Sequence, residues 1–137
     1  MRVAILDTSV YIDHWERSLH ASGLSAVRSG YLIRQSSVVL SELRRGARTR
    51  AAQRLVDSLA RTSRIHWEPS AADWWRAGKV IRDIGDAETW DRNKRREFQN
   101  DVLIALTARQ HGAAVVTTNR RDFELLSEAV GVVVMYL

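Results

Sequence analysis

The sequence predicts an α/β fold in which a central parallel β-sheet is flanked by helices on both faces. Short, nearly continuous apolar segments alternate along the chain with longer segments in which apolar residues recur at helical spacing. Strands that are apolar throughout are typical of a parallel sheet covered on both sides. We predict strands at residues 3–6, 37–40, 64–67, 113–117 and 132–136.

Local start and stop signals place the helices between these strands. Thr8 or Ser9 is a candidate N-cap for the first helix, and Ser70 with Asp73 has the spacing of a capping box. We predict that Asp101 opens an apolar helix that stops at Gly112. The remaining predicted elements are helices at 24–33 and 51–60, a helical turn at 43–47 and a charged segment at 85–100 that is partly loop and partly helix.

Composition limits the class of protein. A chain of 137 residues with 45% hydrophobic residues is long enough to form one domain, residues 1–137, with a substantial core. The absence of cysteine excludes disulfides and thiolate metal sites. We identify no secretory signal peptide and no segment approaching the ~20 apolar residues that span a bilayer. We therefore expect a cytoplasmic protein with no membrane partner.

The chain is strongly basic. Its net charge is +5, its isoelectric point is about 10.4, and only Lys79 and Lys94 among its 21 basic residues are lysines. Guanidinium groups bind phosphate in a bidentate manner and stack on bases, which suits a nucleic-acid partner. An arginine-rich genome is the alternative explanation.

Acidic residues stand next to several predicted strands. Asp7 ends the first strand, Glu42 follows the second and Asp122 follows the fourth. In a parallel sheet these three reach the carboxyl edge, where open α/β sheets bind ligands. Asp101, at the start of its predicted helix, can reach the same edge. Each acid alone could instead serve a helix dipole or a helix cap, but together they would meet at one edge.

Four acids in one place would repel one another strongly. At ~4 Å, two like charges interact by roughly 4 kcal/mol at an effective dielectric of about 20. A divalent cation would remove this repulsion, and an oxygen-only donor set favours Mg²⁺ or Mn²⁺. Such an ion can activate water and stabilise the leaving oxygen of a phosphodiester.

At these residues the chain resembles the PIN-domain ribonucleases, and among them the VapC-type toxins of toxin–antitoxin pairs. The matching segments occur in the family's order and are residues 5–9, 39–46, 100–105 and 117–123. The resemblance implies a PIN-like fold and an endoribonuclease that depends on Mg²⁺ or Mn²⁺. It also implies a homodimer and a small cognate antitoxin that neutralises the toxin by covering its site.

The resemblance also implies roles for individual residues. Asp7, Glu42 and Asp101 correspond to the principal catalytic and metal-binding acids, and Asp122 to a fourth acid that is less strictly required. Thr117 and Asn119 correspond to polar supports of the site. Thr8 corresponds to a hydroxyl neighbour that hydrogen-bonds a carboxylate.

Arginines near the predicted acids are candidates for binding RNA. Arg44 and Arg45 follow Glu42, and Arg120 and Arg121 precede Asp122. Contacts with phosphate would weaken as salt rises. The segment 85–100 is longer and more basic than the family pattern, so it could touch RNA or form a solvated helix face.

Two other functions remain open at this point. A non-catalytic basic partner on a PIN-like scaffold could bind and regulate DNA together with an antitoxin. A Mg²⁺-dependent phosphotransfer module would also place acids at a sheet edge. However, Asp7 is followed by Thr8 and Ser9 rather than by the second acid of an Asp-x-Asp motif.

Overall fold

The computed structural model describes residues 2–137, which form two parallel sheets and seven helices. The strands are β1 Val3–Leu6, β2 Leu32–Ile33, β3 Gln35–Ser36, β4 His66–Trp67, β5 Ala114–Thr117 and β6 Val134–Tyr136. The helices are α1 Thr8–Arg17, α2 Ala21–Gly30, α3 Ser37–Gly46, α4 Arg50–Arg61, α5 Ala71–Glu88, α6 Arg92–Gln110 and α7 Arg120–Val130. The predicted α/β fold with a parallel sheet flanked by helices is confirmed.

The main sheet has the strand order β2-β1-β5-β6, and a smaller sheet pairs β3 with β4. The two central strands are apolar and fully buried at Ile5 and Val115, which face each other in register. Leu6, the last residue of β1, pairs with Val116, and Thr117 is the last residue of β5. Asp7 and Thr117, which come next after this pair, therefore lie side by side at the carboxyl edge.

Helix α6 forms the centre of the core. Its second half, residues 102–108, is completely buried and packs against β5 and the helices α3, α5 and α7. Phe98, one turn earlier, is also buried. A helix that is apolar on all sides in this way must be surrounded by other elements.

The predicted strand at residues 37–40 is wrong, because these residues open helix α3. Ser36 caps the helix by accepting a hydrogen bond from the Val39 amide at 3.4 Å. Val39, Leu40 and Leu43 are buried on one helical face, and short apolar runs are ambiguous between strand and helix. Glu42 therefore lies within a helix, and the strand of this region is β3, just before it.

The predicted helix at 24–33 is wrong at its end. Helix α2 stops at Gly30, and Leu32–Ile33 instead pairs with β1 through Val3 and Ala4. Glycine weakens a helix interior, which favours an end at Gly30. The residues that follow can then form backbone hydrogen bonds with the free edge of β1.

The start of α6 was also predicted too late. The helix begins at Arg92, nine residues before Asp101, with Asp91 accepting a hydrogen bond from the Lys94 amide at 2.8 Å. Segment 85–100 is therefore almost entirely helical, divided between α5 and α6 by a turn at Thr89 (φ 54°). Asp101 lies in the middle of a long helix.

Other predictions are confirmed. The amphipathic helix at 51–60 is α4, and the capping box of Ser70 and Asp73 opens α5 with both hydrogen bonds at 3.0 Å. Gly112, at φ 64°, follows the end of α6. None of the helices within residues 2–137 combines the length and apolar character needed to cross a bilayer.

Candidate active site

Asp7 is fixed where β1 passes into α1. Its side chain is almost completely buried, and its Oδ2 accepts hydrogen bonds from Thr117 Oγ1 and Ser9 Oγ, both at 2.8 Å. Those hydroxyls in turn accept from the backbone amides of Asn119 at 3.0 Å and Thr118 at 3.2 Å. Because the amides fix the direction of the hydroxyls, both hydroxyl protons point at the carboxylate.

Burial has the largest effect on the pKa of Asp7. Loss of solvation raises the pKa of this carboxyl, whereas the hydrogen bonds from Thr117 and Ser9 oppose the rise. The negative charge of Glu42 raises the pKa further. The site therefore stabilises the ionised form of Asp7 only in part.

Glu42 approaches the same edge from helix α3. Thr8, the first residue of α1, donates from Oγ1 to Glu42 Oε1 at 2.7 Å. This contact joins α1 and α3, which pack against each other. It also agrees with the expectation that Thr8 hydrogen-bonds a carboxylate.

Asp122 lies in the first turn of α7 and is mostly buried. Asn119 caps this helix by accepting from the Asp122 amide at 3.4 Å, and its Nδ2 donates to Asp122 Oδ2 at 3.2 Å. The ammonium group of Lys94 reaches the same oxygen at 2.6 Å. Asp122 therefore has both an amide and a cation as partners.

Asp101 joins these acids from the middle of α6. Its pKa is raised to about 8. Burial is the largest cause, the negative charges of Asp7, Glu42 and Asp122 contribute further, and the positive charge of Lys94 opposes the rise. Within residues 2–137, the hydrogen bonds of the structure include none to its carboxylate. The four predicted acids thus lie close enough together for the charges of Asp7, Glu42 and Asp122 to act on Asp101.

The donor set suits a hard divalent cation. It consists only of carboxylate oxygens, and burial together with the charges of the neighbouring acids raises the pKa of Asp101, a rise that a cation would reverse. Within the described part of the chain, no three acids or histidines converge closely enough to form a complete metal site. Side-chain rotation would therefore have to accompany metal binding.

The predicted RNA-binding arginines lie around this edge and are exposed. Arg44 and Arg45 occupy the last turn of α3, and Arg120 and Arg121 open α7. Arg120 stacks over the ring of Tyr136 at 4.2 Å and reaches Glu124 at 3.4 Å. The four side chains are available at the surface without neutralising the acids.

Sequence reasoning missed two members of the site. Ser9 was considered only as a helix cap, although its position two residues after Asp7 allows a side-chain contact across the strand end. Lys94 was considered only as a possible RNA contact. It pairs with Asp122, which is 28 residues away, so no local sequence pattern predicts the contact. The one available sign is that Lys94 is one of only two lysines in an arginine-rich chain.

Solved structures share this fold. VapBC-1 from nontypeable Haemophilus influenzae matches with a TM-score of 0.72 at 18% identity, covering 98% of this chain and 97% of the other. VapBC2 from Rickettsia felis, bound to a DNA fragment from its promoter, matches with a TM-score of 0.68 at 22% identity, covering 98% of both chains. DNA-bound VapBC from Salmonella typhimurium matches with a TM-score of 0.65 at 22% identity, covering 99% of this chain and 98% of the other.

Sequence comparison gives the family. No curated protein sequence matches the chain significantly. The model of the PIN domain, however, matches residues 4–128, which include all four acids and their hydroxyl and amide partners. The chain therefore belongs to the PIN domain family.

Proposed function

We propose that this protein is a Mg²⁺- or Mn²⁺-dependent endoribonuclease and the toxin of a toxin–antitoxin pair. The observation that carries the proposal is the grouping of Asp7, Glu42, Asp101 and Asp122 at one sheet edge, where burial and then the charges of the other three acids raise the pKa of Asp101 to about 8. Carboxylates held together against their repulsion form a binding site for a divalent cation.

In this proposal, the four acids would hold the ion or ions. A bound divalent cation supplies an activated water and stabilises negative charge on the phosphodiester. Ser9 and Thr117 hold Asp7 in one orientation through their hydroxyl protons, and Thr8 does the same for Glu42. Pre-oriented ligands of this kind reduce the reorganisation that catalysis requires.

The exposed arginines would bind the substrate. Arg44 and Arg45 on α3 and Arg120 and Arg121 on α7 lie on the two helices that also carry Glu42 and Asp122. An RNA backbone that follows these side chains would therefore pass over the acids. Because such contacts release counterions, affinity for RNA should fall as salt rises.

A groove beside the site is where we expect a protein partner to bind. It encloses about 340 Å³ between α1, α3 and α4, and its walls include Ile12, Trp15, Leu55 and Glu42. Ile12 and Leu55 are large apolar side chains exposed to solvent. A small antitoxin with an apolar segment in this groove would lie against Glu42 and obstruct the acids. The homodimer implied by the family resemblance belongs to the same proposal.

Cleavage of RNA tests the nuclease. Purified protein is incubated with total cellular RNA in Mg²⁺ or Mn²⁺ and in chelator, beside the Asp101→Asn variant. We expect discrete fragments that require the metal and disappear in the variant. Cleavage that persists in chelator or in Asp101→Asn would remove the proposed mechanism. Absence of cleavage, together with absence of metal binding, would favour the non-catalytic basic partner.

A matched pair of variants tests the antitoxin groove. Leu55→Glu introduces a charge into the groove, whereas Ile65→Glu introduces one at an exposed apolar residue outside its walls. We expect Leu55→Glu to abolish co-purification with the co-expressed cognate antitoxin, and Ile65→Glu to retain it. Retention by both variants would exclude the groove as the binding site.

A further inference from the structure

Lys94 is the only described side chain that brings a positive charge into direct contact with one of the four acids. Its Nζ lies 2.6 Å from Asp122 Oδ2, and only about a third of the side chain is exposed. Its charge also extends to Asp101, because it lowers the pKa of that carboxyl against the effect of the other acids. The ion pair thus lies within the field of the acids rather than at a distant surface.

Aromatic rings hold the lysine in this position. Nζ lies 4.9 Å from the centroid of the Trp90 ring and 6.0 Å from that of Phe98, distances at which cations are attracted to ring faces. The two rings pack edge to face at 4.7 Å, and Phe98 is completely buried. The ammonium group therefore lies between an aromatic pair, of which Phe98 is buried and Trp90 partly buried, and the buried carboxylate of Asp122.

The turn between α5 and α6 fixes the aromatic pair. Arg95 donates to the Trp90 carbonyl oxygen at 3.0 Å and to Asp86 at 2.9 Å. Its guanidinium covers Gly85 so closely that a Cβ there would lie 2.8 Å from it. The basic segment 85–100 thus consists of the end of α5 and the start of α6, joined by a turn that Arg95 holds through hydrogen bonds. Its one lysine points at the acids.

We propose that Lys94 is a positioning residue that supplies a permanent positive charge to the fourth acid. Asp122 is then held by the protein's own cation, and the divalent ion is bound by Asp7, Glu42 and Asp101. This inference rests on the proposed nuclease function and refines it, because it divides the four acids into three for the metal and one for the lysine.

The hydrogen bonds of Asp122 agree with this division. Lys94 and Asn119 both donate to Oδ2, so a cation that bound this oxygen would have to displace an ammonium group. A lysine also suits the position better than an arginine, because its compact charge fits between a ring and a single oxygen, whereas a guanidinium is a planar fork. In a chain with only two lysines among 21 basic residues, this choice of residue follows the shape of the site.

A permanent cation should compete with the divalent ion. Removing the lysine charge leaves the site more negative and frees Asp122, so metal affinity should increase. A purely structural role would have the opposite result, because a disordered site binds metal more weakly. The direction of the change therefore distinguishes the two roles.

The experiment measures Mn²⁺ binding by titration calorimetry and RNA cleavage on the same samples. The variants are Lys94→Met, which keeps much of the contact with Trp90, and Lys94→Arg, which keeps the charge. Lys79→Met is the matched control, because Lys79 is the other lysine and also pairs with an aspartate, Asp83, but on the exposed face of α5. Asp101→Asn reports whether the titrated metal occupies the acidic site.

We expect Lys94→Met to bind Mn²⁺ about fivefold more tightly or to bind a second ion, while it cleaves RNA more slowly. Lys94→Arg and Lys79→Met should stay within about twofold of the wild-type affinity. Unchanged or weaker Mn²⁺ binding by Lys94→Met would overturn the role of Lys94 but leave the nuclease intact. Wild-type protein that binds no Mn²⁺, or binds it equally well as Asp101→Asn, would overturn the metal site itself.

Discussion

Asp7, which is buried, and Asp101, which is partly buried, are acids of the same candidate site with different hydrogen-bond partners. Asp7 receives two hydroxyl donors at 2.8 Å, whereas within residues 2–137 no hydrogen bond reaches the carboxylate of Asp101. The difference follows from backbone position. At the junction of a strand and a helix, amides and hydroxyls are still available, but in the middle of a helix the backbone donors are already used in its own hydrogen bonds.

The comparison shows which carboxylate is unfavourable to ionise in the metal-free protein. Asp101 is partly buried, with a pKa of about 8 and the charges of three other acids around it. Its ionisation therefore destabilises the metal-free fold, and a divalent cation would relieve that cost. Burial raises the pKa of Asp7 as well, but there two hydroxyl donors oppose the rise. The predictions below test this division, beginning with the largest expected effect.

Replacing Asp101 should stabilise the metal-free protein, although it removes the proposed activity. Asp101→Asn keeps the shape of the side chain but eliminates the charge and its repulsion. We expect its melting temperature near pH 8 to exceed that of the wild type by about 5 °C or more. Thermal unfolding followed by circular dichroism in chelator measures this difference.

Asp7→Asn is the matched control for that change. Asp7→Asn also removes a charge that burial disfavours, but it weakens the hydrogen bonds that Ser9 and Thr117 donate to the carboxylate, so the melting temperature should rise less than in Asp101→Asn. If the two variants are stabilised equally, hydrogen bonding does not distinguish the two acids and the comparison fails. If Asp101→Asn is destabilised, its carboxylate has favourable partners that this structure lacks.

The pH dependence of stability should show the same asymmetry. The pKa of Asp101 is raised in the fold, so the folded state binds a proton that the unfolded state releases between about pH 4 and pH 8. Stability of the metal-free wild type should therefore fall as pH rises through this window. Denaturant unfolding at several pH values should give a shallower decline for Asp101→Asn. Parallel curves for the two proteins would contradict the assignment.

Removing a hydroxyl that holds Asp7 should have an intermediate effect. Thr117→Val leaves a buried carboxylate with one donor fewer and should lower the free energy of unfolding by about 1–3 kcal/mol. Thr107→Val is the control, because Thr107 is equally buried but its hydroxyl donates only to the Leu103 carbonyl of its own helix. Chemical denaturation measures both, and an equal loss in the two variants would assign Thr117 to the core alone.

The smallest effect is expected at Thr8. Its contact with Glu42 is partly exposed, so Thr8→Val should cost about 0.5–1.5 kcal/mol of stability. RNA cleavage should decrease more than stability, because Glu42 loses the bond that orients it. A loss of stability without any change in cleavage would make Thr8 a link between α1 and α3 and nothing more.

The positions of the two central strands could be predicted from the sequence. β1 is apolar throughout and β5 is apolar up to Thr117, so Asp7 and Thr117 could be located at the strand ends without a structure. The helix-borne part was harder to predict, because residues 37–40 form a short apolar run that suits a strand or a helix, and the packing of Val39, Leu40 and Leu43 decided the outcome.

The sequence by itself determined which residues form the family's motif segments and in what order they occur, because motif residues and strand ends are properties of local segments. Only the tertiary structure decided how these residues interact. The placement of Asp101 in mid-helix, its raised pKa and the pairing of Lys94 with Asp122 depend on distance through space and on exclusion of water. Neither quantity is encoded in local spacing, since the partners lie on different elements.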